Sequence, residues 1–319
     1  MILDGLPAAV RLTKGHGTEN DFVIVPDPDG ALEIGPGQVA ALCDRRAGIG
    51  ADGLLRVVRT AKMPGYEDQA AEAEFFMDYR NADGSVAEMC GNGVRVFALY
   101  LTARGFVDDS RSGDDSRSAD DSRSADDIGS ADDTRSVAPL RFGVATRGGV
   151  KHVTLVPTGP QTADVTVDMG VPVFPAGRDG LAVDVLGVPR PAVDVDMGNP
   201  HAVVFVDSVD DAGTLYEAPA VTPPGSYPEG VNVEFAADVA PRHLAMRVHE
   251  RGVGETRSCG TGACAVMIAA ARRDGAAPGT GYTVDVPGGR LRFVERADGR
   301  LEMTGPAELV FDLAAPESA

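Results

Sequence analysis

Two cysteines, Cys90 and Cys259, each open a Gly-Xaa-Gly turn that runs into an apolar helical stretch. One reads Cys90-Gly91-Asn92-Gly93-Val94 and the other Cys259-Gly260-Thr261-Gly262-Ala263. Unpaired N–H groups and the positive dipole end of a helix start favour a thiolate over a thiol and suit a carboxylate lying in front of them. Two such ends facing each other predict an anion held between two sulfurs, one able to take a proton and the other to give one.

The duplication extends outward from the cysteines. Asn20 precedes the strand-like run Asp-Phe-Val-Ile-Val, and Asn199 precedes Pro-His-Ala-Val-Val-Phe-Val. Nine residues before each cysteine stands a polar turn, Asn81-Ala82-Asp83-Gly84 in one half and Glu250-Arg251-Gly252-Val253-Gly254-Glu255 in the other. His201, directly after Asn199-Pro200, is the histidine expected to act at the site by tuning a cysteine or steadying an intermediate. His249 should face away from it on the same strand as Glu250. His16, His152 and His243 have no spacing with cysteines or carboxylates that supports a metal site. Cys43 and Cys264 are read as packing residues within helices, Cys264 pointing away from Cys259.

These residues need a scaffold, and the pattern supplies mostly strands. Short apolar runs bounded by Gly, Pro and Asp occur at 22–25, 54–58, 75–79, 153–156, 165–169, 203–206, 231–235, 245–248, 282–286, 291–294 and 309–311. Helical periodicity is convincing at 38–45, 94–103 and 263–272, the last two beginning at the cysteine turns. The expected fold is α+β: two pseudo-symmetric domains, each a strand-rich sheet wrapped around a central helix, with the site in the cleft between them. The boundaries expected are 1–168, 169–305 and a C-terminal segment, 306–319, returning to the first half.

The chain has 319 residues, 43% of them hydrophobic, enough for about two domains. A net charge of −19 argues against nucleic acid or an anionic membrane as partner. No apolar run is long enough to span a bilayer and no basic, apolar leader opens the chain, so a cytoplasmic protein is expected. Four cysteines are too few for a disulfide framework. Residues 108–136 form an imperfect six-residue repeat with Asp-Asp at Asp108, Asp114, Asp120, Asp126 and Asp132, and their ten aspartates and four arginines contribute −6. Such a segment cannot bury enough surface to offset its ordering entropy and reads as a disordered insert.

Taken in order, Gly17 to Phe22, Asn81 to Ser85, Met89 to Gly93, Met197 to His201, Gly230 to Asn232, Glu250 to Thr256 and Ser258 to Cys264 resemble the diaminopimelate epimerases nearly end to end, interrupted by the acidic insert. The resemblance implies a pyridoxal-independent enzyme that interconverts LL- and meso-diaminopimelate without cofactor or metal. It implies Cys259 as proton acceptor and Cys90 as donor for the LL substrate, and N–H groups of Gly91, Asn92, Gly260 and Thr261 around the reacting carboxylate. Asn81, Asn199, Asn232 and Arg251 are implied at the distal carboxylate, Glu250 with the Arg251 region at the distal ammonium, and Asn20 on a loop closing the cleft. Two departures stand out: Gly53 where some members carry a substrate-touching glutamine, and Thr18-Glu19 in place of the more usual Leu-Gly. By the internal repeat Gly53 corresponds to Asn232. Two other readings fit the cysteine pair: a proline- or histidine-type racemase, and a noncatalytic thiol switch in which Cys90 and Cys259 form a reversible disulfide. A strand-rich protein with exposed edges is also expected to form a homodimer.

Overall fold

The computed structural model describes residues 10–107, 138–175 and 180–314; the acidic repeat expected to be disordered lies outside them. The first half runs β1 (Arg11–Gly17), β2 (Asn20–Pro26), α1 (Pro36–Cys43), β3 (Gly53–Arg59), β4 (Phe75–Asn81), α2 (Gly91–Ala103), β5 (Leu140–Val144), β6 (Lys151–Gly159) and β7 (Thr162–Gly170). The second runs β8 (Ala182–Val185), β9 (Val188–Asp196), β10 (Pro200–Phe205), β11 (Val221–Thr222), β12 (Asn232–Ala240), β13 (His243–Glu250), β14 (Gly254–Glu255), α3 (Gly260–Arg273), β15 (Gly281–Val286), β16 (Gly289–Glu295) and β17 (Leu301–Ala314).

The repeat read from the sequence is a repeat of hydrogen-bonded ladders. In the first half β1 and β2 form a hairpin, β2 lies parallel to β3 with Phe22 opposite Gly53, and β3 pairs antiparallel with β4. In the second, β9 and β10 form the hairpin, β10 lies parallel to β12 with His201 opposite Asn232, and β12 pairs antiparallel with β13. Each half ends in an antiparallel meander, β5-β6-β7 and β15-β16-β17. The expected α+β architecture of two related, strand-rich halves is therefore the one present.

The inner strands β2, β3, β10 and β12 are covered on both faces, which explains their near-continuous apolar runs. Phe22 and Ile24 of β2 face the core around α2, whereas Val23 and Val25 pack on α1 beneath the opposite face. In β10 Val203 faces the core around α3, and Ala202 and Val204 face a separate cluster with Val183 and Phe235. Helices α2 and α3 are buried almost all round, from Gly91 to Leu101 and from Gly262 to Ala271. A helix without a polar stripe belongs at the centre of its half.

Strand β17 joins the halves. Leu301 to Thr304 pair with β16, Leu301 to Glu308 with β7, and Glu308 to Ala314 with β1. Its pairing with the first half begins well before Leu309, the start of the run visible in the sequence. The reason is Gly305-Pro306, which reads as a break but is accommodated inside the strand. Strands β1, β5, β8, β9, β11 and β14 leave weaker sequence patterns: polar, glycine and proline residues interrupt β1 and β9, β5 and β8 alternate over only five and four residues, and β11 and β14 are two residues long.

Candidate active site

Both helices begin three residues earlier than the apolar periodicity indicates, directly after the cysteines. Cys90 is the N-cap of α2 and Cys259 the N-cap of α3, both in extended conformation. Each sulfur accepts a 3.4 Å hydrogen bond from the third helical N–H, that of Gly93 or Gly262. Serine and asparagine usually fill this capping position; a sulfur there sits at the positive end of the helix. The N–H groups of Gly91, Asn92, Gly260 and Thr261 stand in the first turn beside the two sulfurs, with no oxygen acceptor among the described residues.

The glycines are there for close approach. A Cβ on Gly91 would come within 2.9 Å of the terminal methyls of Met169 and Met303, and one on Gly262 within 2.7 Å of Glu234 Oε1. The two helix ends abut through Asn92, whose Nδ2 donates to the backbone oxygen and to Oγ of Ser258, the residue before Cys259, both at 3.1 Å.

Around Cys90 the contacts come from the first half. Its thiol reaches Asn20 Oδ1 at 3.5 Å, and the same oxygen accepts from Asn92 Nδ2 at 3.3 Å. Asn20 Nδ2 donates to Asp52 at 2.8 Å, which fixes the amide's orientation. Asn81 is turned into its own loop, bonded to Ser85 Oγ at 2.9 Å, so the structure does not join it to the cysteines directly. Gly53 lies opposite Asn81 in the β3-β4 ladder. A side chain at position 53 would meet Arg80 O at 2.6 Å and the Tyr79 ring at 2.7 Å, so the space that Gly53 vacates is closed by backbone and by Tyr79.

Around Cys259 the second half supplies acids and a histidine. His201 is wholly buried, with Nδ1 2.7 Å from Glu234 Oε1 and Nε2 3.0 Å from Asn199 Oδ1. Asn232 Oδ1 accepts the Arg251 N–H at 2.9 Å, and its Nδ2 donates to Pro200 O at 3.2 Å, tying β10, β12 and the end of β13 together. Glu250 accepts from the Thr256 hydroxyl. The Arg251 side chain is exposed, its stem against Gly230 and its Nη1 donating to Glu229 O at 3.4 Å, which leaves the guanidinium accessible to a ligand.

Sequence reasoning missed Glu234, although an acid inside the buried run Asn232-Val233-Glu234-Phe235 is itself a signal. It also gave no role to Thr18, Arg95 or Ser258. Thr18 and Glu19 are the two turn residues of the β1-β2 hairpin, with φ of 52° and 60°. A left-handed threonine costs on the order of 1 kcal/mol, and both residues are engaged by the other half. Thr18 Oγ1 lies 2.6 Å from Ser258 Oγ, and Glu19 is ion-paired with Arg257. The unusual Thr18-Glu19 pair is thus a clasp between the halves.

Helix ends alone predict readily formed thiolates, and the structure corrects that expectation. Burial pushes the Cys90 thiol up to about 11, and Glu250 pushes the same way; the Gly93 and Asn92 N–H groups and Arg95 oppose them. Cys259 is driven well above the usual thiol range by burial, then by Glu250 and Glu234, with Thr261 and Gly262 opposing. Glu250 is itself raised by burial. Desolvation outweighs the helix dipoles at both sulfurs, so burial favours the thiol form of each. Cys43 and Cys264 are buried in α1 and α3, both raised by burial, and neither lies among the site residues. Among the described residues no group of three or more His, Cys, Asp and Glu side chains is arranged to hold a metal, and no helix is long and apolar enough to cross a membrane.

The fold is shared with other two-half proteins of low sequence identity. A predicted epimerase of Pseudomonas aeruginosa matches with a TM-score of 0.63 at 16% identity, over 97% of this chain and all of the other. A hydroxyproline epimerase of Agrobacterium vitis matches at 0.58 and 13%, over 95% and 90%. This architecture is the class the molecule falls into. Within it, the diaminopimelate epimerase family model matches residues 12–113 and 193–310. Proteins named diaminopimelate epimerase from Streptomyces coelicolor and Thermobifida fusca are 57% and 44% identical to this chain, each over 94% of it and over 93% and 96% of their own length. The chain belongs to the diaminopimelate epimerase family.

Proposed function

We propose that this protein inverts one α-carbon of LL-2,6-diaminopimelate to give the meso isomer, using two thiols and no cofactor. The observation that carries the reading is the pair of cysteine-capped helix N-termini abutting through Asn92 and Ser258. A stereocentre inverts when a proton leaves one face and another arrives on the opposite face, so one sulfur acts as thiolate while the other is a thiol. For the LL substrate Cys259 takes the Cα proton and becomes a thiol. Cys90 delivers its S–H proton to the other face and becomes a thiolate, and the reverse reaction exchanges the roles. The two titrate as a pair, since the charge resides on one sulfur at a time.

The first-turn N–H groups of Gly91, Asn92, Gly260 and Thr261 would hold the carboxylate next to the developing carbanion, where preorganised donors in a dry site count most. His201, anchored by Glu234 and Asn199, steadies the Cys259 side. The exposed guanidinium of Arg251, with Asn81, Asn199 and Asn232, is assigned to the distal carboxylate, which it matches as a fork. Glu250 and the adjoining backbone are assigned to the distal ammonium, and Asn20 to closing the cleft beside Cys90. The product is a precursor for lysine and for peptidoglycan. We place the reaction in the cytoplasm, where thiols stay reduced. A homodimer is supported by the exposed Val310, Phe311 and Leu313 of β17, and sedimentation equilibrium would test it.

The test is incubation of the reduced protein with LL-diaminopimelate, with stereoisomers separated by chiral chromatography. Formation of the meso isomer by the wild type, lost in separate Cys90→Ala and Cys259→Ala proteins, is the expected result. Absence of meso product with thiols verified free would overturn the reading.

A further inference from the structure

Five residues beyond each capping cysteine the halves differ in kind: α3 carries Cys264, a neutral packing residue, and α2 carries Arg95. The Arg95 side chain is wholly buried. Its guanidinium donates to Asn92 Oδ1 at 2.5 Å, Thr18 Oγ1 at 3.1 Å and Pro306 O at 2.8 Å, its Nε has no partner, and no carboxylate lies within ion-pair distance among the described residues. The surroundings are shaped for it, since a Cβ on Gly305 would lie 2.1 Å from Nη1 and one on Gly17 3.1 Å from Nη2. Burying a cation with no carboxylate beside it is unfavourable, and the equivalent position of α3, Cys264, carries no charge, so the shared scaffold does not itself require one there. The purpose of Arg95 is therefore an anion that arises only during function.

The hydrogen bonds point to which one. Arg95 holds Asn92 Oδ1, so that the amide's Nδ2 faces Asn20 Oδ1 and Ser258. Asn20 Oδ1 in turn receives the Cys90 thiol. We propose that Arg95 is a positioning residue with two effects on Cys90: through Asn92 it orients the Asn20 oxygen that accepts the S–H proton of the resting thiol, and its fixed buried positive charge supports the thiolate once that proton leaves. The proposal rests on the two-thiol reading above and adds to it a built-in difference between the thiols. The charged and titratable groups facing Cys90 are Glu250 and Arg95, with Tyr79 behind; those facing Arg95 are Cys90, Asp164 and Cys264. Arg95 is the cation in that set, and burial lowers its own pKa only to about 10, so it stays charged at neutral pH.

The test is the rate at which iodoacetamide alkylates Cys90 in the folded, substrate-free protein as a function of pH, read by peptide mass spectrometry. Arg95→Met should move the Cys90 profile to higher pH, with about tenfold less thiolate at a fixed pH below the midpoint. Arg95→Lys should keep the profile near that of the wild type, and Thr18→Val, which removes one ligand of the guanidinium but keeps its charge, should lower the thermal midpoint without moving it. If Arg95→Met fails to fold, Arg95→Gln carries the same expectation. A Cys90 profile unchanged in the folded neutral variant overturns the proposal, as does a shift in Arg95→Lys equal to that in the neutral variant. Failure of the wild type to epimerise diaminopimelate would instead remove the substrate reading, because the alkylation profile is measured without substrate.

Discussion

The two halves repeat the same ladders and the same cysteine-capped helix, yet their equivalent positions carry opposite chemistry. Register places Phe22 against His201, Gly53 against Asn232 and Leu55 against Glu234, and the spacing to the cysteines places Asn81 against Glu250. The second half surrounds Cys259 with a buried histidine and two acids. The first surrounds Cys90 with apolar groups and amides and puts a buried cation, Arg95, behind them. The duplicated scaffold supplies what the two sulfurs need in common, a capped helix start on either side of one carbon. The divergent strand residues make the two sides unlike, as required of a site whose substrate ends in a distal ammonium and carboxylate on one side only.

Removing either sulfur breaks the comparison most severely. Cys90→Ala and Cys259→Ala should each lower epimerisation by roughly a thousandfold, since each deletes one of two proton-transfer groups; steady-state assays with LL and meso substrates check this. Making β12 resemble β3 comes next. Glu234→Leu copies Leu55 and strands His201 Nδ1 in the core, so chemical denaturation should show a loss of about 3 kcal/mol. The gentler Glu234→Gln removes one of the charges that raise the Cys259 thiol, so Cys259 should be alkylated faster at a given pH. An unchanged Cys259 rate in a folded protein would separate Glu234 from the site.

The converse exchange, Gly53→Asn, copies Asn232 into the first half. Its Cβ meets the Arg80 backbone oxygen, which cannot yield, and we expect a destabilisation of about 1–3 kcal/mol. A smaller effect belongs to Asp21, whose carboxyl is held down to about 2: burial raises it, and hydrogen bonds and charge from Arg45 and Lys14 outweigh that. A depressed carboxyl stabilises the fold above its unfolded pKa of about 4 and loses that contribution as pH falls toward about 2. Asp21→Asn should therefore flatten the acid limb of a stability-versus-pH curve in that window.

The inner strands were legible because burial on both faces writes itself as an apolar run, as in Phe22 to Val25 and Val203 to Val206. The cysteine caps, Asn20, Asn199 and Glu250 were legible because the chain repeats them at matched spacing. Residues whose role depends on the other half were not. Arg95 reads as an interruption in an apolar helix, and Gly305-Pro306 as a break in a strand, until Pro306 O and the missing Gly305 Cβ are seen to make room for the Arg95 guanidinium. Thr18 and Glu19 likewise look unsuited to a tight turn until Ser258 and Arg257 are placed against them. Non-local pairing leaves no periodicity in the sequence.

The central claim is that two different sulfurs handle the departing and arriving protons. It is tested most directly by proton NMR of LL-diaminopimelate with the reduced protein in D₂O, sampled at early turnover. The account predicts that the inverted centre of the first meso product carries solvent deuterium in nearly every molecule. Meso product that retains the substrate's own α-hydrogen would mean that one group removes and returns the same proton, and would contradict it.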